Sequence, residues 1–562
     1  MQFKKNTIAT LLQLSAASMI LSGCGGGSGT DAPAVVTPPP VVVTPASLTI
    51  SGTAATGAAM AVAAVQIKCA TGTGSANTAT DGTFSATITG AALPCVLSAT
   101  SSDGKTVLRS IAPAGSATTA TANITPLSEI IAAQIAGGDA ATLFTTFDAN
   151  AQAKLTSSGV SAAVTAVVAA LKGTVDLTGV NPLSDALVAA NGGKAGNALD
   201  QSLDALGLAL KAGGTTVADV AAALVANPTA PSVVQGLLQP VASSCASLRS
   251  GTFHTLDPYN GTAPVSTRVI DTAALTITKP DGTAKTLAPV SGSACAFTTD
   301  SGATSVFVAK SGVMVMRYAQ TSTVSRAMLL VPHQTIPLAE LAGNWNVSVY
   351  GGEKFGDAYA PGYSTETLDA TSNVTAGADC EGLDACVSWI PRASDVMVVN
   401  PDGGFTQTDP EGTGARVFAV KTAGGQIALF AMLLDTDKKP RGWAIFSKLA
   451  ALTLPTVGQV DRFWDVEVNY NGATSPQDVE TTISTVDSTA ASYTRTRTSD
   501  GRVDGYSVNK PRTGMRYRAA GTSGGVAFKE ALTTPLTGFG LTLSSSVSTG
   551  NNSFFGISVG KP

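Results

Sequence analysis

The densest run of chemically capable side chains lies near the C-terminus. Tyr493, Arg495 and Arg497 alternate with threonines, Asp500-Gly501 marks a turn, and Arg502, Tyr506, Lys510, Arg512, Arg516, Tyr517 and Arg518 follow. Seven basic residues against Asp500 and Asp504 give this stretch a local formal charge of +5 in a chain of −4. Successive side chains of a strand point to opposite faces, so Tyr493, Arg495 and Arg497 share one face and the threonines the other. Guanidinium groups pair with phosphate or sulfate through a planar fork, and tyrosine rings offer flat surfaces for sugars. The pattern therefore fits a patch for an anionic glycan or a lipid headgroup. Its candidate ligand-binding residues are Tyr493, Arg495, Arg497, Arg502, Arg516 and Arg518. The solvent side of an antiparallel sheet would carry the same residues, and both readings stay open.

Other candidate chemistry is thinner. A hydrolase needs a nucleophile, a base and an orienting group. Gly521-Thr522-Ser523-Gly524-Gly525 resembles the glycine-rich surround of a serine-protease nucleophile, and His254 lies near Asp257. Thr522, however, stands where that family carries aspartate, and His254 lacks the family's flanking residues. Ser507 and Lys510 have the Ser-x-x-Lys spacing of penicillin-binding-type enzymes without the companion motifs in order. No catalytic residue is nominated. Asp379, Glu381 and Asp384 sit around a loop between Cys380 and Cys386 and could offer oxygens to calcium, but a solvated loop explains them as well, so no metal ligand is nominated either. His254 and His333 are the only histidines, too few for a histidine-built metal cage. Phosphate-binding glycine loops are absent, and no cofactor is expected.

The chain has 562 residues, 44% hydrophobic and 13% charged. That composition folds rather than staying disordered, and roughly 150 residues per domain predicts three to four domains. An acidic balance speaks against nucleic acid as a partner. Lys4 and Lys5 precede an apolar stretch from Ile8 to Leu21, which reads as an export signal over residues 1–23. It ends in Leu21-Ser22-Gly23-Cys24, which resembles the lipobox of bacterial lipoproteins. That resemblance implies lipidation of Cys24 and a membrane partner reached through acyl chains. Removal of residues 1–23 leaves 32 basic against 38 acidic residues, a formal charge of −6. Gly25 and Gly26 stand where inner-membrane lipoproteins carry a retention aspartate, so the resemblance implies the outer membrane. The six remaining cysteines meet an oxidising compartment, and each successive pair falls within one module. Local disulfides Cys69–Cys95, Cys245–Cys295 and Cys380–Cys386 are expected, although six cysteines allow other pairings.

Residues 24–46 combine Gly/Ser flexibility with the stiffer Pro38-Pro39-Pro40 run, forming a tether. Residues 47–124 alternate short apolar runs with Gly, Thr and Asp-Gly turns, the signature of a small β domain. Within it, Thr78 to Phe84 and the preceding strands resemble the carboxypeptidase regulatory-like, or transthyretin-like, β-sandwich over about 75 residues. This implies an accessory or spacer fold, departing from the family in Cys69 and Cys95. Residues 125–244 turn helical and alanine-rich. Thr125-Pro126-Leu127-Ser128 and Asn181-Pro182-Leu183-Ser184 each place a capping residue before proline, and paired glycines at 137–138 and 192–193 read as stops. Leu199, Leu203, Leu206 and Leu210 form one apolar stripe, with a second helix expected over Thr215 to Ala226.

From Cys245 onward the chain is β-rich and holds all nine tyrosines and all four tryptophans. Gly251-Thr252-Phe253, Gly343-Asn344-Trp345 and Arg462-Phe463-Trp464 open three related segments, here bounded as 245–338, 339–455 and 456–562. The Gly-x-Trp opening resembles the first strand of lipocalin-like barrels, but each segment looks too short for eight strands, leaving a shared barrel or sandwiches as the expectation. The fold class is thus multidomain and mainly β with an α-helical middle: a small β-sandwich, a helical bundle, then sandwich or barrel modules. The functional expectation is a lipid-anchored envelope protein that binds, without catalysis, an anionic polysaccharide or lipopolysaccharide. An extracellular hydrolase acting on a polymer and a purely structural envelope protein are the alternatives.

Overall fold

The computed structural model describes residues 47–562 apart from 382, 384, 393–395, 409–411, 470–471, 524 and 548–552. The expected signal segment, the Cys24 anchor and the tether lie outside the described residues.

Residues 47–124 form a three-stranded and a four-stranded sheet enclosing one core. In Thr83–Thr89 every second residue is buried, and Phe84 and Ile88 meet Ile50, Val65, Ile67 and Leu97. The Asp81 carboxylate accepts the Thr83 N–H and hydroxyl at 3.0 and 2.7 Å, which makes it a turn residue. Cys69 and Cys95 face each other on adjacent strands and are bonded.

The helical middle both follows and departs from its sequence. Pro126–Ala136 begins at Thr125, whose side chain accepts the Ser128 N–H, and stops at left-handed Gly137. Its near-copy does not form: no helix covers residues 181–193. The Asn181 side chain accepts the Leu183 N–H at 3.0 Å, and Asp185 accepts the Asn181 N–H at 2.9 Å. Asn123 and Thr53 of the sandwich donate to the carbonyls of Asp185 and Leu187 at 2.7 and 2.9 Å. Local polar side chains and the neighbouring domain thus take up backbone groups that a helix would have paired. Ala198–Ala212 buries Leu199, Leu203 and Leu206 and shares a core with Val217–Ala226.

The rest of the chain is three nine-stranded antiparallel sheets built to one plan. In each, the first strand pairs with the last: Gly251–Leu256 with Ser325–Pro332, Gly343–Gly351 with Pro440–Lys448, and Val460–Asn469 with Phe554–Gly560. The strands between meander away from that seam on both sides. In the first sheet the two far ends, Ala284–Thr286 and Ala288–Pro289, follow one another in the chain across Leu287, and in the second an antiparallel bridge between Asn373 and Val396 joins the two sides. In the third the meanders join through Val503–Val508, Arg516–Arg518 and Ala531–Leu536, closing a ring of eight strands. The expectation that each segment is too short for eight strands is therefore wrong, since each holds a nine-stranded sheet. Strands as short as Arg516–Arg518 and tight connections fit a complete barrel into residues 460–560.

Apolar outer faces bind the three sheets together. Trp464 stacks on Phe307 with centroids 5.1 Å apart, and Phe555 on Tyr350 at 5.6 Å. Both pairs belong to a core that runs through all three sheets with Leu330, Phe430 and Trp443. Cys245 is bonded to Cys295 in the first module and Cys380 to Cys386 in the second.

Candidate functional site

The interior of the closed barrel is built by strand parity. On Val460–Asn469, Trp464, Val466 and Val468 point outward into the shared core, so Phe463, Asp465 and Glu467 point inward. On Ser492–Arg497 and Val503–Val508 the register sets Tyr493 against Tyr506 and Arg495 against Asp504. Arg516 and Arg518 extend the same inner wall from the next strand. These side chains line a cavity of about 1140 Å³, larger than most small-molecule pockets.

The basic residues singled out in the sequence thus face the inside of a barrel. Neither expected surface describes them, because the sheet curls shut around that face. Lys510 precedes a cis-proline, Arg512 lies over the Tyr363 ring of the second module, and Tyr517 packs in a cluster with Tyr363, Met515 and Leu532. Arg495, Arg497, Arg502, Arg516 and Arg518, together with Tyr493, remain at the cavity.

Asp504, 1% exposed, is the hub. Arg502 reaches its two carboxylate oxygens at 3.0 Å each, and Arg495 and Arg518 approach it at 3.5 Å. Arg495 also donates to the Tyr506 hydroxyl at 2.8 Å, and Arg518 to the Lys529 carbonyl at 2.9 Å. Arg516 donates to the Tyr493 hydroxyl at 2.6 Å and has no carboxylate partner among the described residues. Arg497 has Asp500, 3.9 Å away, as its one paired carboxylate among the described residues. The Nε groups of Arg495, Arg497, Arg516 and Arg518 are buried with no hydrogen-bond acceptor among the described residues. The tyrosine rings stack 5.3 Å apart behind them.

The electrostatics follow from this packing. Burial opposes the charge of Arg495, but Tyr506, Tyr493 and Asp504 outweigh it and hold its pKa above the ordinary value. Arg497 is pushed down by burial and then by Arg502, which Asp500 and Asp504 only partly offset. Burial raises the Tyr493 phenol, partly offset by Arg516 and Arg495. On the other wall, burial and then Asp465 raise Glu467. Guanidinium groups that line a cavity without a close carboxylate can grip an anion through charge-assisted hydrogen bonds.

The weaker candidates are dispersed. His254 Nε2 lies 2.9 Å from His333 Nδ1 and stacks on Phe418, centroids 4.0 Å apart, whereas Asp257 accepts the Tyr318 hydroxyl at 2.9 Å. The Ser523 hydroxyl accepts the Val503 N–H at 2.8 Å, so serine, histidine and aspartate do not converge. Asp379 pairs with Val387 in a β ladder, while residues 382 and 384 of the acidic loop lie outside the described residues. Among the described residues no group of three or more potential ligands could hold a metal. Sequence reasoning missed Asp504 as a hub and Asp465 and Glu467 as wall residues. The alternation Trp464, Asp465, Val466, Glu467, Val468 is the signal for the last two.

No family model and no curated protein matches the chain. Among solved structures, a protein of unknown function from the DUF3598 family of Nostoc punctiforme is similar at 11% identity. The match covers 40% of this chain and 97% of that one, with a TM-score of 0.14. At that score the likeness bears on neither fold nor function.

Proposed function

We propose that this chain is a lipid-anchored protein of the bacterial outer membrane that binds, without catalysis, an anionic group of an envelope molecule inside its third C-terminal barrel. One observation carries the binding reading: Arg497 and Arg516 line the cavity without a close carboxylate among the described residues, while the carboxylate of Asp504 is already shared by three other arginines. A phosphate, sulfate or carboxylate group in the cavity would supply the negative charge that these two guanidinium groups lack. An anionic polysaccharide or lipopolysaccharide supplies groups of this kind.

Lys4, Lys5 and Leu21-Ser22-Gly23-Cys24 support the anchor, and the carboxypeptidase regulatory-like pattern near Phe84 supports a spacer role for the first β domain. Replacing Cys24 with alanine should abolish incorporation of labelled fatty acid. The binding experiment titrates the purified chain with lipopolysaccharide and with a sulfated polysaccharide at 20 and 500 mM salt. Saturable binding at low salt that weakens at high salt is expected, because screening lengths fall to a few ångströms. No binding of either probe at low salt would overturn the reading.

A further inference from the structure

Resting on the reading that the third barrel holds an anion, we propose that its ligand is zwitterionic, carrying an ammonium group within a few bonds of the anionic group. The cavity has two poles. Arg497, Arg516 and the Asp504 cluster occupy strands in the middle of the ring, while Asp465 and Glu467 come from its first strand, which the ring order sets across from Arg516–Arg518. Both carboxylates belong to the inward face, two residues apart, about 7 Å along the strand.

These acids do not neutralise the arginines. Arg495, Arg502 and Arg518 pair with Asp504, and Arg497 approaches Asp500. Asp465 instead accepts the Ser558 hydroxyl at 2.9 Å. Its charge reaches Arg495 only through space, and Arg495 stands over the Phe463 ring at 5.7 Å. Two neighbouring carboxylates repel each other, and although Lys529 of the same cavity offsets this in part, burial and Asp465 leave Glu467 holding its proton more tightly than an ordinary glutamate. A binding site selective only for anions gains nothing from a carboxylate wall, since those charges repel the ligand. An ammonium group placed there removes that repulsion and pairs with the acids while the anionic group occupies the arginines. Amino-sugar phosphates and phosphoethanolamine headgroups share this chemistry.

Isothermal titration of the full chain at low salt tests the proposal with two matched pairs: glucosamine 6-phosphate against glucose 6-phosphate, and phosphoethanolamine against ethyl phosphate. The amine-bearing member of at least one pair should bind about tenfold tighter or better, as charge-assisted pairing allows. The pair with the larger ratio tells a sugar from a lipid headgroup. In Asp465→Asn/Glu467→Gln the ratio should fall to near one, with the amine-free probes bound at least as tightly as before. Glu467→Gln alone, with smaller disturbance of the wall, should lower the ratio in the same direction. A wild-type ratio near one, or a ratio unchanged in the folded variants, overturns the zwitterion proposal and leaves anion binding standing. Failure of all four phosphates to bind wild type overturns the proposal together with the reading beneath it.

Discussion

In the second C-terminal module the strands Gly414–Lys421, Ile427–Leu434 and Pro440–Lys448 are apolar on both faces. Val417, Ala419, Leu429, Ala431, Ala444 and Phe446 pack around Trp345 on one side, while Phe418, Phe430, Met432 and Trp443 face the shared core on the other. The third module follows the same plan, first strand against last, and keeps only the outward half of that pattern. Trp464, Val466, Phe555 and Ile557 enter the shared core, but the inward half is Asp465, Glu467, Tyr493, Arg495, Asp504 and Arg518. Topology therefore makes a container, and one parity of its strands decides whether the container is a packed interior or a charged cavity.

The sharpest way to break this comparison is to remove the hub of the charged interior. Asp504→Asn leaves Arg495, Arg502 and Arg518 facing one another at low exposure, and breaking a buried ion cluster from one side costs about 3–5 kcal/mol. Trp443→Ala in the apolar interface should cost about the same through an unfilled cavity. Urea unfolding of both variants is the check. A loss under about 1 kcal/mol for Asp504→Asn would mean that water enters the third barrel freely and that its charges are not a structural network.

A second prediction concerns the joint between modules. His254 and His333, 79 residues apart, come together 2.9 Å from each other against Phe418, so the first module touches the second through its histidines. Burial first, then His333 and Arg416, lower the His254 pKa to about 4, against a weak opposing pull from Asp402. An unfolded histidine titrates near 6.5. Between those values the unfolded chain binds a proton that the folded chain does not, so this contribution is complete above about pH 6.5 and is lost as pH falls toward 4. Its ceiling is on the order of 3 kcal/mol. Denaturation at pH 7 and pH 4.5 should show a smaller acid loss in His254→Phe than in wild type. Parallel losses would show that the joint does not sense pH.

Much of this contrast was legible in residue order. The alternation of Thr83–Thr89, the Thr125 cap and the leucine stripe of Ala198–Ala212 are local patterns, and each forms the element its pattern specifies. The one-sided placement of Tyr493, Arg495 and Arg497 was equally local. What local pattern could not supply was the side of the sheet on which water lies. Arginine on a strand reads as solvent-facing, and only the pairing of Val460–Asn469 with Phe554–Gly560, 93 residues apart at Asp465 and Ser558, turns that face inward. The helix expected after Asn181 failed for the same kind of reason, since Asn123 and Thr53 reach it from another domain.

The smallest expected change in stability separates a binding cavity from a structural one. Arg497 and Arg516 line the cavity without a close carboxylate, Arg516 held by the Tyr493 hydroxyl and Arg497 3.9 Å from Asp500. Replacing both with glutamine keeps polar side chains of moderate length and leaves the Asp504 cluster whole, so unfolding free energy should change by less than about 1 kcal/mol. Affinity for lipopolysaccharide or the sulfated polysaccharide should nevertheless fall about tenfold or more, each lost charge-assisted hydrogen bond being worth about 1.5–3 kcal/mol. Titration beside urea unfolding of one preparation reads both numbers. If the folded variant binds as wild type does, the arginines serve the barrel wall alone. If stability falls with affinity by several kcal/mol, Arg497 and Arg516 belong to the same network as Asp504, and the charged interior of the third module is a core of another kind.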